Sequence, residues 1–274
     1  MVPAFKLIWY GMSATLILTA GLAAQSASSG SQNASAGVSL CDSLDPNMPH
    51  ADALSRVCQY AVTIPEQMPN FTCRQETSRV LSGALDEGDT ITGVVTYEDG
   101  KESYRDLKQN GQPLDNTAAL LGAWSAGQFG NHLQSIFDGR NKVEFQFVGE
   151  NKIGGREAWE FMYRIAYQAV PLWRLQSPGQ MVAPPYYGKL WIDQQSGVIL
   201  RLQVEATELP RSFSIRNAKI EIDYKSVLLG DGTHFVLPVK SVLNTVDSDG
   251  MATRNMQRFQ NCQKFRATSR IVPQ

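Results

Sequence analysis

The sequence predicts a mainly β domain with few helices: a curved antiparallel meander sheet, an unclosed half-barrel, covered by a helix on its concave face. Three observations carry this. Apolar and polar residues alternate with period two through most of the chain after Asn70. Turns of hairpin chemistry separate the alternating runs. Helical spacing appears in only two stretches, too little to cover a flat sheet of about ten strands, so the sheet must curl over them.

The first 27 residues are read as a secretory signal. Lys6 supplies a positive start, Leu7 to Ala24 is apolar and uncharged, and small residues follow, with the cleavable bond between Ala23 and Ala27. An uncleaved anchor is the rival reading, diluted by Gly11, Ser13, Thr15 and Gly21. Cys41 is no lipid attachment site, since Val38-Ser39-Leu40 offers no small residue before it. Residues 28–44 form a linker, and the Ser, Ala, Gln, Gly and Asn residues of 25–40 have almost nothing to bury. Residues 45–274 are then one domain.

Asp45 to Pro65 carries a short helix, with Ala51, Leu54, Cys58 and Ala61 or Val62 on one face and Pro65 and Pro69 stopping it. Strands follow at 71–83, 89–98, 101–109, 142–150, 156–167, 187–194, 197–208, 215–228, 233–247 and 251–266, about nine to eleven in all. Phe145 and Phe147 alternate with Glu144 and Gln146. Phe161, Tyr163 and Ile165 alternate with Met162 and Arg164, and Leu200, Leu202 and Val204 with Arg201, Gln203 and Glu205. One wet face and one dry face belong to antiparallel pairing. Asp99-Gly100, Asp231-Gly232 and Asp249-Gly250 are hairpin turns, and consecutive hairpins make an up-and-down meander.

Two segments interrupt the strands. Thr117 to Phe137 reads as helix, weakened at Gly127 and Gly130. Residues 168–186 hold four prolines beside Trp173, Leu175, Met181, Tyr186 and Tyr187, a long irregular loop of the kind that carries function.

Four cysteines in an exported chain favour disulfides. Of the three pairings, Cys41–Cys58 with Cys73–Cys262 is favoured, the second joining the first long strand to the last.

Several classes of chemistry are missing from the sequence. The formal net charge of −1 supplies no footprint for nucleic acid. His50, His132 and His234 have no ligand partners at helical or hairpin spacing, so no metal is expected. No nucleophile elbow, zinc-protease motif, phosphate loop or dinucleotide fingerprint occurs, so no cofactor and no enzyme are expected. Asp193 caps a turn, and Glu205 and Glu208 lie on an outward face without apolar surroundings.

One resemblance can be quoted residue by residue. Gly188-Lys189-Leu190-Trp191-Ile192-Asp193 followed by Ser196-Gly197-Val198-Ile199-Leu200-Arg201 resembles a hairpin of periplasmic lipoprotein-carrier folds, the LolA/LolB-like and RseB-like half-barrels. Gly155-Arg156-Glu157-Ala158-Trp159-Glu160-Phe161 is similar to the strand before it, and Phe235-Val236-Leu237-Pro238 to the strand after it. The likeness spans residues 140–270. It implies a concave face that holds acyl chains under a helical lid. The lining it implies here is Trp124, Phe129, Leu133, Phe145, Phe161, Leu190, Ile192, Leu200 and Leu202, with Trp173 from the Pro-rich loop. Plain core packing is the bland reading of the same residues. The arginine that grips the lid in some carriers has no counterpart assigned in this sequence.

The resulting expectation is an exported periplasmic or secreted protein that binds a lipid, acyl chain, acylated protein or other hydrophobic group, touching membrane only through its signal segment. The alternative is an envelope protein-interaction module with a filled core.

Overall fold

The computed structural model describes residues 40–81, 88–115, 124–169, 171–177, 180–230 and 232–265. The expected signal segment, most of the linker and the first part of the expected helix 117–137 lie outside the described residues. A 3-10 turn at Leu40–Ser43 already belongs to the fold, because Cys41 is bonded to Cys58.

Helix α1 spans Ala51–Gln67. Its buried residues, Ala53, Leu54, Val57, Cys58, Ala61 and Ile64, recur three and four apart and form one stripe. Val62 is on the exposed side. Pro65 does not stop the helix. It sits inside the last turn, where the missing amide breaks one bond, and the helix closes with Met68 N donating to Ile64 O at 3.0 Å.

Eleven strands make one antiparallel sheet that does not close into a barrel. In chain order they begin with β1 Phe71–Leu81, β2 Asp89–Glu98, β3 Lys101–Gln109 and β4 Gln112–Pro113. After the crossover come β5 Val143–Ile153 and β6 Arg156–Ile165. The short pair β7 Leu175–Ser177 and β8 Gln180–Val182 lies inside the Pro-rich loop and is separate from the sheet. Then follow β9 Tyr186–Asp193, β10 Ile199–Ala206, β11 Ile215–Leu229, β12 Thr233–Asp247 and β13 Ala252–Lys264.

The spatial order is β4-β3-β2-β1-β13-β12-β11-β10-β9-β6-β5. This corrects the simple meander. Hairpins do link neighbours within each group, but the chain leaves β4 at one edge and re-enters as β5 at the other. The first and last long strands, β1 and β13, meet in the middle. The Cys73–Cys262 bond fastens that central seam where its register shifts.

The inner face carries the main core. Phe161, Tyr163, Leu190, Ile192, Leu202, Val204, Ile220 and Ile222 pack there against α1 and against helix α2, Asn131–Phe137. The expected helix 117–137 is therefore short in its described part. Gly127 and Gly130 adopt positive φ of 89° and 154°, and a Cβ at Gly130 would lie 2.9 Å from Ile64 Cγ2, so the chain must bend before α2 begins.

Candidate functional site

The inner face has two chemistries. Strands β6, β9, β10 and β11 present aliphatic and aromatic side chains. Strands β1, β12 and β13 present Gln75, Thr77, Arg79, Ser241, Thr245, Thr253, Asn255 and Gln257, all of them buried. Cross-strand register aligns these polar residues, with Thr77 opposite Gln257 and Gln257 opposite Ser241. Arg79, 1% exposed, lies opposite Asn255 on one side and forms an ion pair with Asp89 at 3.2 Å on the other. The sequence hides this patch because β1 is polar at odd and even positions alike, so period two gives no contrast there.

Segment 124–130 crosses this face without regular structure. Two side chains from the sheet grip it. Glu102, on β3, accepts from Phe129 N at 2.8 Å, Gly127 N at 2.9 Å and the Tyr104 hydroxyl at 3.0 Å. Gln257, on β13, accepts from Gln128 Nε2 at 3.0 Å and donates to Ser125 O at 3.0 Å. Phe129 is an apolar anchor, edge-on to Phe71 at 5.3 Å and to Phe259 at 4.9 Å. Among the described residues no backbone–backbone hydrogen bond ties this segment to the sheet.

The polar contacts under the segment are incomplete. Gln128 Oε1, Gln75 Oε1, Ser241 Oγ, Tyr97 Oη and Tyr224 Oη are buried without a hydrogen-bond partner among the described residues. Each such group costs about 1–3 kcal/mol. Burial raises the pKa of Glu102 above the ordinary glutamate value, against the pull of its three hydrogen bonds. Burial drives His132, on α2, down to about 4, opposed by the Ala126 carbonyl. Next along the chain, α2 is pinned more firmly, by Ser135 Oγ to Tyr186 Oη at 2.6 Å and by Asn141 Nδ2 to Ser135 O at 2.7 Å.

Eight of the ten residues named from the sequence stand together in the main core: Phe129, Leu133, Phe145, Phe161, Trp173, Leu190, Ile192 and Leu202. Trp173 is tucked inward against Tyr186 at 5.1 Å, and Gln168 bridges its backbone and Pro184 O. Trp124 is elsewhere, packed with Ile91, Leu107 and Tyr104 near the β3 edge. Leu200 is on the opposite face, with Ala158 and Trp191. The β9–β10 register shifts between Ile199 and Arg201, and that bulge flips the alternation: Ile199 turns inward and Leu200 outward.

On that outer face Glu160 accepts from Trp191 Nε1, Asn151 Nδ2 and Lys189 Nζ. Burial pushes its pKa up, but these partners hold it below the usual range. Asp193 caps its turn through Ser196 and pairs with Arg156 at 2.8 Å. The histidines lie apart in the fold. His50 stacks on Trp159, His132 is buried beside Trp173, and His234 Nδ1 lies 3.1 Å from Ser226 Oγ.

No protein-family model matches the chain, and no curated protein matches it in sequence. Solved structures are similar in fold. A domain described as an outer membrane lipoprotein-sorting protein from Vibrio parahaemolyticus aligns over 78% of this chain and 93% of its own, with 10% identity and a TM-score of 0.40. A LolA superfamily protein from Nitrosomonas europaea aligns over 78% and 94%, with 10% identity and a TM-score of 0.34. A DUF1329 family protein from Desulfovibrio piger aligns over 79% and 95%, with 10% identity and a TM-score of 0.40. These likenesses concern the course of the chain and give no residue-by-residue correspondence.

Proposed function

We propose that this chain is an exported, non-catalytic binding protein that takes an apolar group, such as an acyl chain, against its inner face when segment 124–130 lifts. The observation that carries the reading is the way this segment is fastened. Side chains from Glu102 and Gln257, with Phe129 at one end and Trp124 at the other as apolar anchors, hold it over buried polar atoms that lack partners among the described residues. A cover fastened so lightly belongs to the low-stability end of a fold, where binding elements are found. Helix α1 is the fixed half of the roof, tied to β12 by the Tyr60 hydroxyl on Val236 O and to the turn at 40–43 by Cys41–Cys58.

Lifting Phe129 exposes a floor of Phe71 and Phe259 beside Gln75 and Gln257. An acyl chain would replace the phenyl ring, and a polar head would meet the unpaired side-chain atoms. Ten methylenes at ~0.8 kcal/mol each provide about 8 kcal/mol, enough for roughly micromolar affinity. The two disulfides suit an oxidising compartment.

The test is native mass spectrometry of the disulfide-bonded protein purified from a bacterial periplasm, followed by solvent extraction. A reproducible mass excess that yields fatty acid or phospholipid supports the reading. A clean mass, with no uptake of offered dodecanoate, refutes it.

A further inference from the structure

A second feature lies on the other side of the sheet. At the β5 edge, Glu144 and Gln146 of β5, Met162 and Arg164 of β6, Tyr187 of β9 and Glu208 just beyond β10 line an open groove of about 460 Å³. That volume is within the range of specific binding sites. Register builds it from four separate stretches of sequence. Gln146 lies opposite Met162, Glu144 opposite Arg164, Arg164 opposite Tyr187, and Tyr187 opposite Glu205.

The groove has an apolar floor and an acidic rim. Met162 is 38% exposed, and Val148 (50%) and Tyr167 (74%) are exposed apolar residues on the same two strands or just beyond them. Glu144 and Glu208 line it, and Glu205 bonds the Tyr187 hydroxyl, whose pKa is raised by burial and by that carboxylate. Glu144, Glu208 and Arg164 thus line the groove together, while Glu205 also lies 4.0 Å from Lys219 Nζ. Glu208 is held at φ 54°, a conformation rare for a residue with a side chain.

Strand β5 adds the deciding feature. Among the described residues it pairs only with β6 and forms one end of the sheet. Its backbone edge is open, and a register shift between Phe147 and Gly149 confines the flat part to residues 143–147. Glu144 and Gln146 project outward there, while Val143, Phe145 and Phe147 are half-buried against the core.

We propose that this edge and groove receive an extended segment of another protein in which basic and aliphatic residues alternate. The segment adds as a strand beside β5, so that the sheet edge supplies main-chain hydrogen bonds and the two faces read alternate side chains. Its basic residues fall on the outer side, one strand spacing from Glu144, with their heads at that carboxylate and in the field of the groove's other acidic residues. Its aliphatic residues fall on the inner side and extend the row of Phe145 and Phe147. A lipid would not need the acidic rim, and a second β5 would bring Glu144 carboxylates to an already acidic groove.

A fluorescein-labelled peptide of alternating Lys and Val, seven residues long, tests this against the same peptide with Glu in place of Lys. Anisotropy on the disulfide-bonded protein should show saturable one-to-one binding of the basic peptide that weakens with added salt. The pair Glu144→Lys and Glu208→Lys, both on the surface, should weaken it by roughly tenfold or more, with the circular dichroism unchanged. Amide exchange should show new protection in 143–147. Equal binding of the acidic peptide, an unchanged affinity in the double variant, or no binding of the basic peptide would each overturn the proposal. So would protection of 143–147 in the protein alone together with a dimeric mass, which would give the edge to a second copy.

Discussion

Replacing Phe129 with alanine separates a detachable cover from an ordinary core. The side chain is buried between Phe71 and Phe259 and anchors a segment held also by Glu102, Gln257 and the packing of Trp124. A buried Phe→Ala change costs about 3–5 kcal/mol when the whole structure depends on the site. If segment 124–130 opens by itself, that cost falls on its own closing equilibrium and not on the sheet. At 1.4 kcal/mol per tenfold, the amides of Gly127, residue 129 and Gln134 should then exchange roughly 100 to 4,000 times faster. The amides of β10 to β12 should change by less than about tenfold, and the urea midpoint only slightly. Hydrogen exchange read by mass spectrometry, with both disulfides intact, makes the comparison in one sample. Equal acceleration in the cover and in β10 to β12, with a matching fall in the urea midpoint, would show that Phe129 is integral core and would refute the detachable cover.

Other expectations follow from the same geometry. Glu102 has a raised pKa, so the folded state holds its proton more tightly than the unfolded state, and stability falls as pH rises from the ordinary glutamate range through the raised value. Glu102→Gln should remove that slope from urea midpoints taken between pH 4 and 7, and a slope left unchanged would argue against the burial. His132 has the opposite sign. Its pKa drops from 6.5 to about 4, so about 3 kcal/mol of stability present at neutral pH is lost as pH falls through that window; His132→Leu should flatten the acid limb, and an unaltered limb would contradict the buried neutral ring. Removing Cys73–Cys262 as a serine pair should cost about 5 kcal/mol by chain entropy, and removing Cys41–Cys58 about 3, because the loops closed span 189 and 17 residues. Urea melts that rank the two bonds the other way would show that native contacts, not loop length, set their worth.

The parts of the fold that could be read from sequence are those with a strong local period. Strand β6 from Trp159 onward and the stretch of β11 from Ala218 to Tyr224 alternate, and the structure keeps their inward and outward sides. The favoured cysteine pairing is the one observed, and Cys73–Cys262 pointed to contact between β1 and β13 that no local pattern contains. What failed was non-local or phase-dependent. The bulge beside Leu200 reverses which side chains face the core, and periodicity assumes no such slip. Two glycines with positive φ broke a segment whose apolar spacing looked helical. Pro65 stayed inside α1 because the stripe that continues to Ile64 outweighs one lost hydrogen bond.

The candidate sites show the same division. Their apolar members were visible as strand alternation. The grip of Glu102 and Gln257 on residues 125–129 joins three distant stretches and leaves no mark in any of them. The outer groove is built from residues that each look like ordinary solvated positions, and only the register of β5, β6 and β9 assembles them.

The most direct test of the central claim is a titration of the disulfide-bonded protein with a single-chain fluorescent fatty acid, with amide exchange measured along the same series. The account predicts saturable binding of one probe per chain. It also predicts faster exchange at Gly127, Phe129 and Gln134 as the site fills, while α1 and β10 to β12 hold their protection. Failure of both the wild type and Phe129→Ala to take up the probe, or uptake that leaves those three amides as protected as before, would contradict it.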